Sequence, residues 1–141
     1  MTEQESRVFQ FALKEYEEKG INFTMKDLSS RIGISKKTLY EIIDSKEKVM
    51  TLIIDEARDN IKIKQKIILQ DQTMDIVDKI RGVLSVLPEF HNVFNYVRLA
   101  EIEKVYPKLY KKIIDMLNDD WEPTFNLFNE GIKQNKISLV I

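Results

Sequence analysis

Apolar residues fall along this chain at helical spacing almost from its first residue. Val8, Phe9, Ala12, Leu13 and Tyr16 stand at i, i+1, i+4, i+5 and i+8, which is one face of a helix over about Glu3–Lys19. Gly20 follows the last basic residue, where a left-handed helix stop favours glycine. Thr24 with Asp27 three residues later reads as a capping box, with Asp in place of the longer Glu. Met25, Leu28 and Ile32 then mark the inner face of a short second helix, and Gly33 interrupts it. Ser35 caps a third helix predicted to run to about Ile43. After Asp44 and Ser45 a long fourth helix is predicted from about Lys46 to Leu69, with Val49, Leu52, Ile53, Ala57 and Ile61 turned inward. Three further segments keep the period: Met74–Leu87 ending before Pro88, Glu89–Val105 ending before Pro107, and Lys108–Gln134 bent near Pro123. Gly131 and Asn135 are its candidate stops. No Gly/Ser linker and no internal repeat divides the chain.

Composition supports helices and removes several chemistries. The chain has 141 residues, of which only 4 are Gly and 3 are Pro, fewer turn residues than a sheet protein needs. An apolar fraction of 43% is enough to build a core. There is no Cys, so disulfides, thiolate catalysis and Cys-ligated zinc are excluded, and His91 as the one His has no partner for a metal site. No apolar run is long enough to span a bilayer, and the N-terminus has no basic region leading into an apolar one. These features predict an all-α, cytoplasmic protein with no cofactor, no metal and no membrane partner. The balance of 22 Lys+Arg against 23 Asp+Glu does not advertise a nucleic-acid partner, so any such partner must be read from local geometry.

That geometry lies between Met25 and about Ile43. Counting Met25 as one, apolar residues fall at four, eight, ten, fifteen and eighteen (Leu28, Ile32, Ile34, Leu39 and Ile42), with small Ser29 at five and Gly33 at nine. This is the spacing of a helix-turn-helix, whose steeply crossed helices need a small residue at closest approach and a positive-φ residue in the turn. Such a unit presents the N-terminus of its second helix to the DNA major groove. The candidates there are Ser35, Lys36, Lys37, Thr38 and Tyr40, with Thr24 and Lys46 at flanking helix N-termini that suit phosphate. Four of them have a plainer reading: Lys36 and Lys37 as a solvated face, Tyr40 packed on the first helix, Thr24 as a cap alone. Residues 24–48 hold six basic and four acidic side chains, an excess of the right sign.

The stretch FALKEYEEKGINFTMKDLSSRIGISKKTLYEIIDSKEKV resembles the DNA-binding domain of the tetracycline-repressor (TetR) family. The resemblance rests on Phe-Ala-Leu…Tyr…Glu-Lys-Gly in the first helix, Thr24 opening the second, Ile32-Gly33-Ile34-Ser35 at the turn, Thr38-Leu39-Tyr40, and Ser45-Lys46-Glu47. It covers about residues 6–57. It implies an N-terminal three-helix DNA-binding domain over 1–45 and a helical ligand-binding and dimerisation domain over 46–141. The function it implies is a transcriptional regulator, usually a homodimeric repressor on a palindromic double-stranded operator, released by a small-molecule effector that moves helix four. Two departures stand out. Glu41-Ile42-Ile43 replaces the usual polar, aromatic and Phe residues after Tyr40, which puts the operator sequence in doubt. The chain also ends at Lys136-Ile137-Ser138-Leu139-Val140-Ile141, where family members usually continue for two helices that pair with a partner, so the second domain is expected to be incomplete.

The second part offers weaker signals. His91, Asn95 and Arg98 share a polar helical face with Glu101, and Phe94, Trp121 and Phe125 are among its aromatic residues; all six are candidates to line an effector pocket. Against this, aromatic residues at helical spacing commonly form core, and Arg98 with Glu101 has the spacing of an i, i+3 ion pair. An enzyme is disfavoured, since one His and no nucleotide or metalloprotease motif leave no catalytic set. A different class of function stands beside regulation: a truncated interaction protein that pairs with a full-length homologue and does not act on DNA alone.

Overall fold

A computed structural model describes residues 1–89, 94–119 and 121–138. Among them are eight α-helices and no strand: α1 (Glu3–Lys19), α2 (Met25–Ile32), α3 (Lys36–Ile42), α4 (Lys46–Gln70), α5 (Ile76–Ser85), α6 (Tyr96–Val105), α7 (Pro107–Asn118) and α8 (Glu122–Lys133), with a 3-10 turn over Gly20–Asn22. The all-α expectation holds. The chain divides into two compact units, Met1–Ala57 with Phe90–Ile113, and Arg58–Glu89 with Ile114–Ile141. The cut lies inside α4, so the start of that helix groups with the first three helices, beyond the functional division expected at residues 45 and 46.

In the first unit, α1 turns Val8, Phe9, Ala12 and Tyr16 inward, and all are buried. Leu28 and Ile32 of α2, Leu39 of α3 and Val49, Met50 and Ile53 of α4 are buried in the same unit, and α1 packs against α2. The caps are those the sequence specifies. Thr24 accepts from the Asp27 N–H at 3.0 Å while Asp27 accepts from the Thr24 N–H at 3.0 Å, a closed capping box. Gly33 ends α2 in the left-handed region at φ 86°, ψ 30°. There its N–H and that of Ile34 both donate to the Ser29 carbonyl, at 2.9 and 3.0 Å. Ser29 is buried, and its hydroxyl donates to the Lys26 carbonyl.

Gly20 differs from the expected left-handed stop. Its φ is positive at 61°, but its ψ is −143°, a combination open to glycine and hardly to other residues. The chain therefore enters the 3-10 turn along a different path. Ile102 of α6, fully buried, and Leu109 and Ile113 of α7 complete this unit's core.

In the second unit α5 packs against α8. Ile76, Ile80 and Val83 are buried, as are Thr124 and Gly131. Gln65 of α4 donates to the Val83 carbonyl at 3.3 Å, and Lys79 of α5 to the Leu69 carbonyl at 3.3 Å.

Three expected segments need correction. The helix expected over Met74–Leu87 is shorter, because Asp75 accepts from the Val77 N–H and starts α5 there. The one expected from Glu89 has its described start at Tyr96, where Asn95 accepts from the Arg98 N–H at 2.9 Å; residues 90–93 lie outside the described set. The bent helix expected over Lys108–Gln134 is two helices. Pro123 cannot donate a backbone hydrogen bond and is tolerated in a first turn, so α8 begins beside it. Gly131 is not a stop but lies buried within α8, with the Ile137 side chain against it, while Asn135 takes the positive φ of 56° after the helix.

The turn residue gives a clean test. A methyl added at Gly33 would meet nothing within 4 Å, so its cost is backbone strain alone. Gly33→Ala should lower unfolding free energy by about 1–2 kcal/mol, Gly33→Asn by less, both read as shifts of the urea midpoint at unchanged slope.

Candidate nucleic-acid interface

Helix α3 is seven residues long and is set by its N-cap. Ser35 accepts from the Thr38 N–H at 3.0 Å and its hydroxyl donates to Thr38 Oγ1 at 2.8 Å. Leu39 is its fully buried anchor. Lys36, Lys37, Thr38, Tyr40 and Glu41 are all exposed. Tyr40 is 42% exposed and so is not packed away against α1, its plainer reading.

Between α3 and the start of α2 runs an open groove of about 440 Å³. Ile21, Phe23 and Met25 contribute its apolar surface. Thr24, Lys26, Lys36, Tyr40 and Lys46 bring three ammonium groups and two hydroxyls to its edge. Four of these five are residues singled out from the sequence, drawn from α2, α3 and α4. Lys26 was missed, as was Asn22 beside it. Lys26 did carry a signal: a cation in the first turn of a helix opposes the positive end of the helix dipole, so folding alone does not favour it there.

Lys46 is more engaged than a free phosphate-binding cation. Its ammonium donates to the Ile21 carbonyl and lies over the Phe23 ring, 4.7 Å from the centroid. Partial burial pushes its pKa below the ordinary lysine value, with Asp27 opposing the shift. Ser45 accepts from the Lys48 N–H at 3.2 Å and caps α4 beside it.

Behind the groove, a charged cluster pins α1 to α2. Glu15 is 2% exposed yet carries a carboxylate, which Arg31 meets through Nε and Lys19 through Nζ at 3.1 Å. Arg31 also reaches Glu18, and Lys19 reaches Asp27 at 3.5 Å. A buried carboxylate is tolerated only with such partners.

The effector-pocket candidates are spread. His91 lies outside the described residues. In the first unit, Phe94 sits 6.4 Å from the Tyr16 ring, Asn95 is the α6 cap, and Arg98 pairs with Glu101 at 3.7 Å, the i, i+3 pair foreseen. In the second unit, Trp121 and Phe125 are 43% and 60% exposed, with ring centroids 6.2 Å apart, and Trp121 Nε1 donates to the Leu117 carbonyl. That unit also has an open pocket of about 210 Å³ between Lys62, Gln65, Lys66, Leu69, Val83, Pro123 and Thr124, which neither aromatic lines.

No protein-family model matches the chain. Comparison with solved structures does find its architecture. A transcriptional regulator of the TetR/AcrR family from Thermobifida fusca superposes with a TM-score of 0.74 at 20% identity, over 99% of this chain and 75% of that one. The TetR family transcriptional regulator PfmR from Thermus thermophilus gives 0.71 at 24% identity, over 96% of this chain and 75% of that one. This is the TetR/AcrR fold. In sequence, the chain is 24% identical over 133 residues to the HTH-type transcriptional regulator YvaF of Bacillus subtilis, covering 94% of this chain and 70% of that protein. Within the TetR/AcrR fold, the groove is the place where the cationic and hydroxyl side chains of three helices converge.

The capping box at the groove's edge has a pH signature. The Thr24 N–H, donating to the Asp27 carboxylate, holds Asp27 below its ordinary value of 3.8, and Lys19 adds to the effect. The stability this contributes is complete above 3.8 and is lost as pH falls through the lower folded-state value. Thermal unfolding should therefore show a constant gap between wild type and Asp27→Ala near neutrality, narrowing below about pH 4. A gap that widens in acid would refute this.

Proposed function

We propose that the protein is a cytoplasmic transcriptional regulator of the TetR type. It binds double-stranded DNA with the exposed N-terminal half of α3 in the major groove and a backbone phosphate in the adjoining groove. The observation that supports this best is the exposed, capped tip of Lys36, Lys37, Thr38 and Tyr40 beside a notch edged by Lys26, Lys46 and Thr24. A lysine reaches guanine O6 or N7, or a phosphate; a threonine offers a hydroxyl and a methyl; a tyrosine hydroxyl bonds phosphate. The N–H groups at the start of α2 add the positive end of its dipole. The near-neutral net charge is no obstacle, because counterion release depends on the cations at the contact and not on the sum over the chain.

One such tip reads one half-site and binds weakly. Tight binding to a palindrome follows from two tips held about 34 Å apart, so the working form is a homodimer. The protein acts as a repressor whose hold on DNA is released by a small-molecule effector taken up by the helices after α3. Its work is binding, with no catalytic step.

The test is selection of duplexes from a random pool by the wild-type protein, followed by mobility shifts. Lys37→Ala and Tyr40→Ala should each weaken binding of the selected duplex by about tenfold or more, with helical circular dichroism unchanged. Affinity should fall steeply with salt, by about 0.9 decade per decade of salt for each phosphate neutralised. Failure to enrich any sequence, or full affinity in both variants, removes the assignment.

A further inference from the structure

One wall of the groove is Ile21 to Thr24, part of a segment that leaves Gly20 through a 3-10 turn of three residues and its exit. So short a turn does not hold its own shape. Two cations from elsewhere in the same unit grip it. Lys46 of α4 holds its middle, through the Ile21 carbonyl and the Phe23 ring. Arg98 of α6 holds its root.

The Arg98 site is built with some care for fit. Its Nη2 donates at 3.2 Å to the carbonyl of Glu17, one of the last carbonyls of α1, at the negative end of that helix's dipole. Its guanidinium carbon lies 5.6 Å from the centroid of the Tyr16 ring, and Glu101 stands against Nη1 at 3.7 Å. Gly20 makes the space: a methyl there would overlap the guanidinium. The glycine's missing side chain thus lets Arg98 in, while its positive φ sets the path into the turn. Tyr16 is completely buried beneath it, with a hydroxyl that has no hydrogen-bond partner among the described residues, and burial pushes its pKa up to about 12. The ring is kept neutral, as a face on which the cation rests.

We infer that Arg98 is a positioning residue for DNA binding: from α6 it fixes the root of the Ile21–Thr24 wall, and so the placement of Thr24 and the α2 N-terminus against a phosphate. It touches no DNA itself. The inference rests on the DNA-binding reading above, and it goes further by giving α6 a direct hold on the reading surface. A displacement of α6 would withdraw the arginine and loosen the wall while leaving α3 capped and anchored.

Three variants test it. Arg98→Met removes the charge and keeps the stem. Arg98→Gln removes the charge but keeps a polar side chain. Arg98→Lys restores a cation and should recover part of any loss. Backbone amide exchange over residues 21–27 should accelerate at least about tenfold in the first two variants, with α4 amides near Ile53 unchanged. On the duplex selected by wild type, affinity should fall about tenfold and the salt slope should shrink by about one phosphate.

Unchanged exchange in the folded variants overturns the inference. So does faster exchange with affinity and salt slope both intact, which would make Arg98 a structural residue only. If Arg98→Met does not fold, Arg98→Gln and Arg98→Lys carry the same comparison. If wild type binds no duplex, the DNA-binding reading fails instead, and exchange alone decides whether Arg98 sets the wall.

Discussion

A helix of seven residues is too short to persist by itself in water. Helix α3 is such a helix, and it buries a single side chain, Leu39. Its direction is imposed from outside, by the Ser35 cap at one end, the Gly33 turn before it, its packing on α2 and the fully buried Leu39. The arrangement leaves Lys36, Lys37, Thr38, Tyr40 and Glu41 exposed. Lys36, Lys37 and Tyr40 can then vary with little effect on the fold.

The N-terminal third was legible because its signals are local. A capping box, a glycine in a turn and a serine cap are settled within four residues, and each appears in the structure where the sequence placed it. The later helices were less legible at their ends, where the outcome depended on which polar side chain captured the first free N–H. Asp75 and Asn95 did so later than hydrophobic spacing alone suggested. Helical spacing on both sides of Pro123 suggests a bend within one helix, but its missing N–H suits a new first turn better. Glycine was the hardest residue to read. Gly33 serves a turn, Gly131 makes room for Ile137, and Gly20 makes room for an arginine 78 residues further along the chain. Nothing near Gly20 in sequence announces that last contact.

The candidate site divides in the same way. The residues on α3 follow from a spacing rule, and their exposure agrees with it. The convergence of Lys26, Lys36 and Lys46 on one groove does not, because it depends on how three helices cross. Lys46 shows the limit of reading a cation from its position alone: expected at a phosphate, it is already bonded to Ile21 and Phe23. Its charge still faces the groove while its reach is spent on the wall.

The cluster around Glu15 carries a consequence for how this sequence can drift. The carboxylate is almost wholly enclosed and is neutralised chiefly by Arg31, sixteen positions away, with Lys19 in support. Losing the arginine alone leaves the enclosed anion with only Lys19, and losing the glutamate alone deprives the arginine of its enclosed partner. Exchanging both for apolar residues of like volume is tolerated far better. The two positions are therefore bound to change in step, so descendants of this chain should carry either the matched charges or neither.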